Sequence, residues 1–168
     1  MYIWKYKTSS EFDDIFMCGD GENLTGLWFG NSKDSYKHNI EKAVENESVF
    51  KNVIKWLDIY FSGKEPDFNP SYKINYTSDF RKEVISEIEK IPYGKTVTYG
   101  DIAKVISEKR NIKKMSAQAV GGAVGWNPIC IIVPCHRVLG LGGKLTGYGG
   151  GLKNKIALLE LEKIKYKN

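Results

Sequence analysis

The 168-residue sequence predicts an α+β fold in two parts. A small N-terminal α/β domain containing a β-hairpin spans residues 1–76, and a mostly helical C-terminal domain spans residues 77–168. Three observations carry this reading. Two short apolar segments flank a hairpin-type turn near the N-terminus. A stretch bearing Gly63, Pro66, Asn69 and Pro70 separates that part from the rest. Beyond it, capping residues followed by apolar faces recur, which is the pattern of successive helices. A chain of this length is able to bury a proper core.

In the N-terminal part, Glu11 to Gly19 and Gly26 to Asn31 are the apolar segments, and Gly19-Asp20-Gly21-Glu22-Asn23 supplies the turn. From Ser48 to Phe61, residues Phe50, Val53, Ile54, Leu57 and Tyr60 fall on one helical face, with Ser48 as candidate N-cap. Trp56 and the tyrosines read as packing residues, and this half offers no chemistry of its own. Ser62 to Tyr76 reads as a linker.

In the C-terminal part, Ser78 or Asp79 caps a helix to about Lys90, with Phe80, Val84, Ile85 and Ile88 inward. Ile91-Pro92-Tyr93-Gly94 ends it, and Thr96 to Thr98 is briefly extended. A second helix from Tyr99 to Ile106 leads through the charged connection Ser107 to Lys114. A third, rich in Ala and Gly, begins near Ser116 and runs to about Val124. The pair fits a helix-turn-helix whose small residues allow close approach to a nucleic-acid groove. Two packed helices of an ordinary α/β domain fit the same residues.

Charge is uneven. Residues 1–80 hold 9 Lys/Arg against 13 Asp/Glu, and residues 81–168 hold 16 against 7. Such asymmetry suits a polyanion at the basic half, although surface lysines alone produce it too. No apolar run approaches a membrane span, and the first residues lack the apolar core of a secretory signal, so a cytoplasmic location is expected. Three cysteines without a CxxC argue against a disulfide framework, and two histidines leave no zinc-ligand spacing. Cys18 and Cys130 read as small buried hydrophobes.

The chemistry concentrates after the apolar run Ile129-Cys130-Ile131-Ile132-Val133, which reads as a buried strand or strand-like segment. Pro134 has no N–H for a ladder, so the chain should turn there and present Cys135 on rigid support. Cys135 is then either an inert packing residue or a nucleophile activated by nearby positive charge. Adjacent side chains in extended chain point to opposite faces, so His136 should reach Cys135 only through a water, or another base serves.

Pro134-Cys135-His136-Arg137-Val138 follows Ala119-Val120-Gly121-Gly122-Ala123 and Asn127-Pro128, and precedes Thr146-Gly147-Tyr148-Gly149-Gly150-Gly151-Leu152. This ordered set, from about Phe80 to Glu162, resembles the O6-alkylguanine-DNA alkyltransferase family. The resemblance implies a winged-helix-like helix-turn-helix domain and no cofactor or metal. It further implies a monomer acting once on duplex DNA that carries O6-alkylguanine, with O4-alkylthymine as a further substrate. Cys135 would accept the alkyl group, with His136 as base through a water and Glu162 orienting the histidine. Tyr99 would help rotate the nucleotide, and Lys155 would favour the thiolate. Asn127 would be the hinge, and Pro134, Val138, Tyr148 and Gly149 would wall the base pocket. Ser116, Ala117, Gln118 and Ala119 would meet DNA. Arg137 falls either with them or as an anchor of the turn.

One position departs from the family's pattern. Many members carry an arginine where this chain has Gln118, which brings no cation and stacks less well than a guanidinium. Two rivals follow: a lesion-binding protein without transfer, and a helix-turn-helix regulator with an incidental thiol.

Overall fold

In the computed structural model, which describes residues 1–168, the expected hairpin forms from β2 (Ile15–Gly19) and β3 (Leu24–Phe29), with Ile15 opposite Phe29. The turn closes on Asp20, whose carboxylate accepts the backbone N–H groups of Glu22 and Asn23 at 2.8 and 2.7 Å. A strand that sequence reading did not find, β1 (Tyr2–Tyr6), pairs antiparallel with β2. The two-residue β4 (Val44–Glu45) joins β1 in parallel, giving the order β3-β2-β1-β4.

Helix α1 (Lys51–Phe61) lies against this sheet through Val53, Trp56, Leu57 and Tyr60. Its start differs from expectation. Asn46, not Ser48, is the cap: its side chain accepts the Ser48 N–H and opens a 3₁₀ turn, Glu47–Phe50, that leads into the helix.

The C-terminal helices are α2 (Asp79–Glu89), α3 (Tyr99–Lys109), α4 (Ala117–Gly125) and α5 (Leu152–Leu161). Ser78 caps α2, Thr98 and Asp101 form a capping box on α3, and Ser116 caps α4. α3 runs three residues beyond its apolar periodicity. Its last turn is held from α2, where Glu87 takes Lys109 and Glu83 takes Arg110. Two-residue strands β5 (Val97–Thr98) and β6 (Val138–Leu139) pair in parallel and set the start of α3 beside the Cys135 turn. No helix is long and apolar enough to cross a membrane.

The free edge of β3 holds both the linker and the acceptor segment. Leu24 donates to the Ser71 carbonyl and accepts from Lys73, so the linker is docked rather than loose. Leu27 donates to the Pro128 carbonyl at 3.0 Å and accepts the Cys130 N–H at 2.9 Å. The expected strand over 129–133 is replaced by one such bridge and two tight turns. Ile131 sits at φ 69, a strained backbone for a β-branched residue, with the Ile132 N–H donating back to Cys130 at 2.8 Å. Strain of this kind costs about 1–3 kcal/mol and persists because Ile131 is fully buried in one apolar cluster drawn from both halves.

Candidate active site

Pro134, at φ −82 and ψ 61, makes the second tight turn, with the Cys135 N–H donating to the Val133 carbonyl at 2.8 Å. Cys135 therefore opens a single 3₁₀ turn, Cys135–Arg137. Asn127 holds this geometry from beneath. Its amide donates to the carbonyls of Ile129 and Val133 at 3.2 and 2.9 Å, and its oxygen accepts the Ile129 N–H at 3.0 Å.

Behind the turn, α5 delivers Glu162 at its C-terminal cap into a buried cluster. The carboxylate accepts from His136 Nε2, from Tyr60 Oη at 2.8 Å, from Arg137 Nε at 2.8 Å and from the Gly94 N–H at 3.0 Å. Burial alone would raise its pKa. The His136 bond, its charge once the ring is protonated at acid pH, then the Arg137 charge and the Gly94 N–H outweigh that and take it down to about 2. An ionised Glu162 fixes His136 as the Nε2–H tautomer, leaving Nδ1 as a buried acceptor with no protein partner. Burial lowers the His136 pKa, against the pull of Glu162, so the ring is a neutral base. Arg137, grouped above with DNA contacts, is turned inward at 8% exposure, with Nη1 on the Ile91 carbonyl at 2.8 Å and the guanidinium over Tyr93. It anchors the turn.

In front of the turn lies a cavity of about 230 Å³ lined by Cys135, Tyr99, Asn127, Tyr148, Gly149 and Cys130, among others. Cys135 Sγ lies 3.8 Å from Tyr148 Oη, and no direct bond joins it to His136. The thiol is drawn down to about 7. The neighbouring Cys130 thiol favours its anion, burial opposes, and the Asn127 amide, Tyr148 hydroxyl and Lys37 charge add to the effect. Tyr148, raised by its own burial, stays protonated and able to donate. Its ring lies where a Gly150 side chain would sit, 2.5 Å from that Cβ position, so Gly150 must be glycine. Tyr99 Oη meets Thr146 Oγ1 at 3.1 Å on the cavity rim. Lys155 is fully buried, with Nζ on the Val138 carbonyl at 3.0 Å and 5.9 Å from the Tyr148 ring. Burial lowers its pKa to about 8 against the pull of the Cys135 charge. Val138 faces Lys155 and lies outside the cavity lining. Ser116, Ala117, Gln118 and Ala119 form an exposed start to α4, and none of them lines the Cys135 cavity.

Four participants were not found from sequence. Tyr60 belongs to the half read as chemically silent, yet it closes the Glu162 cluster. Asp34 and Lys37, an ion pair at 2.8 Å, line the cavity, and Lys37 also donates to the carbonyls of Gly125 and Asn127. Cys130, read as a plain hydrophobe, lines the cavity and donates to Asp34 Oδ2 at 3.6 Å. No local pattern marks any of them, because each acts across the chain.

The arrangement is an ionisable thiol facing a small cavity, with a buried neutral base behind it and exposed helices beside it. Comparison with known proteins agrees with it. Residues 79–164 match the family described as 6-O-methylguanine DNA methyltransferase, DNA binding domain, and residues 3–72 its ribonuclease-like domain. The methylated-DNA–protein-cysteine methyltransferase of Mycobacterium tuberculosis is 40% identical over 159 residues, covering 94% of this chain and 92% of its own. That of Methanosarcina acetivorans is 41% identical over 153 residues, covering 91% and 94%. The crystal structure of M. tuberculosis OGT in complex with DNA superposes with a TM-score of 0.81 at 35% identity, over 97% of this chain and 93% of that one. An O6-methylguanine DNA methyltransferase structure from Methanococcus jannaschii gives 0.62 at 29%, over 98% and 96%. The chain belongs to the 6-O-methylguanine DNA methyltransferase family.

Proposed function

We propose that this chain repairs DNA by moving one alkyl group from O6 of guanine to Cys135 Sγ. The observation that carries the reading is the Cys135 thiol, lowered to about 7 and facing the cavity, with the His136–Glu162 pair behind it. The thiolate attacks the alkyl carbon in line with the C–O6 bond. A carbon–sulfur bond forms, the carbon–oxygen bond breaks, and its electron pair leaves on the guanine. The thioether has no route back to thiolate, so each molecule acts once.

His136 Nδ1, the unpartnered acceptor, takes the thiol proton through a bridging water, and Glu162 stabilises the imidazolium that results. Tyr99 and Tyr148, both hydroxyl donors on the cavity, face the leaving base as it gains electrons. Lys155 keeps positive charge near the thiolate. Asn127 holds the turn, and Gly149 leaves room for the base.

The base must leave its stack, because a thiol on a recessed turn cannot reach O6 in line within a duplex; extrusion costs a few kcal/mol, less for a poorly paired lesion. The exposed start of α4, Ser116 to Ala119, meets the duplex, with Gln118 nearest the vacated site. Labour divides at residue 76: residues 77–168 carry DNA binding and the acceptor, and residues 1–76 seal the relay and one cavity wall through Tyr60, Asp34 and Lys37. The protein works in the cytoplasm.

The test is intact mass after incubation with an O6-methylguanine oligonucleotide. One methyl per chain, on the Cys135 peptide, is expected. Binding without mass gain would establish a lesion binder, and methylation of Cys135→Ser would end the mechanism.

A further inference from the structure

Leu141 is 89% exposed, the most exposed of the large apolar side chains. It stands on a short 3₁₀ turn, Leu141–Gly143, framed by Gly140, Gly142 and Gly143. Gly142 and Gly143 have φ of 70 and 83, conformations that disfavour other residues.

The turn is not a loose loop. The Gly140 N–H donates to the Lys144 carbonyl at 2.8 Å, and the Gly143 N–H to Gly140 at 3.0 Å. The C-terminal segment then fastens it from outside. Lys167 donates to the Gly143 carbonyl at 2.9 Å, and Leu145 donates to the Lys167 carbonyl at 2.6 Å. A rigid turn that holds a leucine almost wholly in water gains nothing for the fold from that side chain.

Its surroundings indicate what covers it. Leu141 and Gln118 border one open trough of about 560 Å³, which also takes in Tyr99, Gly121 and Gly147. Those last three residues line the Cys135 cavity as well, so the trough is the mouth through which a base would pass. The exposed lysines Lys144, Lys113 and Lys114 lie on the same turn and on the approach to α4, and suit phosphates.

We propose that Leu141 is an apolar wedge that enters the duplex beside the extruded nucleotide, from the trough it shares with Gln118. Apolar side chains inserted at base steps unstack them, and leucine is one of the residues used. In this chain the wedge supplies stacking surface that Gln118, lacking a guanidinium, supplies poorly. Leu141 is a positioning residue: it acts on the DNA and not on the sulfur. The proposal rests on alkyl transfer from flipped DNA.

The test compares methyl transfer from an O6-methylguanine duplex with transfer from free O6-methylguanine base, which needs no flipping, in wild type, Leu141→Ser and Leu141→Met. Expected for Leu141→Ser is a fall of roughly tenfold on the duplex, with the free-base rate within about twofold of wild type. Leu141→Met should keep most of the duplex rate, and melting temperatures should be unchanged. An unchanged duplex rate in Leu141→Ser overturns the proposal, as does an equal fall on both substrates. Wild type that methylates itself from neither substrate overturns the transfer reading itself.

Discussion

The two sides of the Cys135–Arg137 turn are built on opposite terms. Behind it, one carboxylate, Glu162, receives four hydrogen bonds in a sealed space, and the partners come from both halves of the chain. In front of it, the wall combines several glycines, the Tyr99 and Tyr148 side chains, two thiols, Asn127 and the Asp34–Lys37 pair, and the space opens to solvent through the rim. The rear has every donor to Glu162 paired, which fixes tautomer and charge. The front has small residues and few fixed partners, which leaves room for a base. The thiol between them owes its lowered pKa to the front, through Cys130, Asn127, Tyr148 and Lys37, while the rear holds a neutral imidazole.

Substitutions should separate the two sides. The largest effect belongs to the front: Cys135→Ser should abolish methyl transfer to the limit of intact-mass detection while leaving the melting temperature close to wild type. A variant that lost its fold as well would blur the contrast.

At the rear, Glu162→Gln should damage fold and chemistry together. It leaves Arg137 as an uncompensated buried charge, a loss on the order of 3–5 kcal/mol in denaturant unfolding. Transfer should slow by roughly a hundredfold, since the base loses its orienting partner. The pH dependence has a definite sign. The Glu162 pKa is depressed from 4.5 to about 2, so its contribution is present above the ordinary carboxylate range. It is lost as pH falls through about 2. Wild type should therefore shed stability over the interval from about pH 5 to 2, and Glu162→Gln should lack that part of the slope.

Lys155→Met tests whether the two sides communicate. Removing a buried cation near the sulfur should move the pH profile of transfer upward by about one unit, since a neighbouring positive charge favours the thiolate. A profile that stays at its wild-type position would restrict Lys155 to holding the Val138 carbonyl. The smallest change lies at the outer front. Gln118→Arg should raise duplex affinity and duplex transfer a few-fold, through cation and stacking terms of about 1 kcal/mol, and leave free-base transfer alone. No change in either duplex quantity would remove Gln118 from the account.

What was legible in the sequence follows the same division by range. The caps Ser78 and Ser116 and the turn at Asp20 act over two or three residues, and the sequence narrowed the first to Ser78 or Asp79, started a helix near the second and marked the third as a turn. The motif around Cys135 was readable because its parts stand in order along one stretch. Tyr60 was not readable as a site residue, since its partners lie 76 and 102 positions away and its helical periodicity already accounts for its burial. Asp34 and Lys37 sit in a polar surface-like stretch and become buried only where α4 ends against them. Ile129 to Val133 misled in a different way. A β-branched run prefers extended chain, but Leu27 and Asn127 capture its backbone and force Ile131 to a positive φ. β1 escaped notice because Tyr2, Trp4 and Tyr6 are only half buried, so its apolar alternation is faint.

The bridge between Leu27 and the Pro128–Cys130 backbone has one more consequence. Because the acceptor segment borrows a sheet edge from the other half, heat cannot melt the hairpin and spare the sulfur's surroundings. Calorimetry should record a single endotherm, with calorimetric and van't Hoff enthalpies in agreement. Reactivity toward a thiol reagent should rise across that same temperature interval.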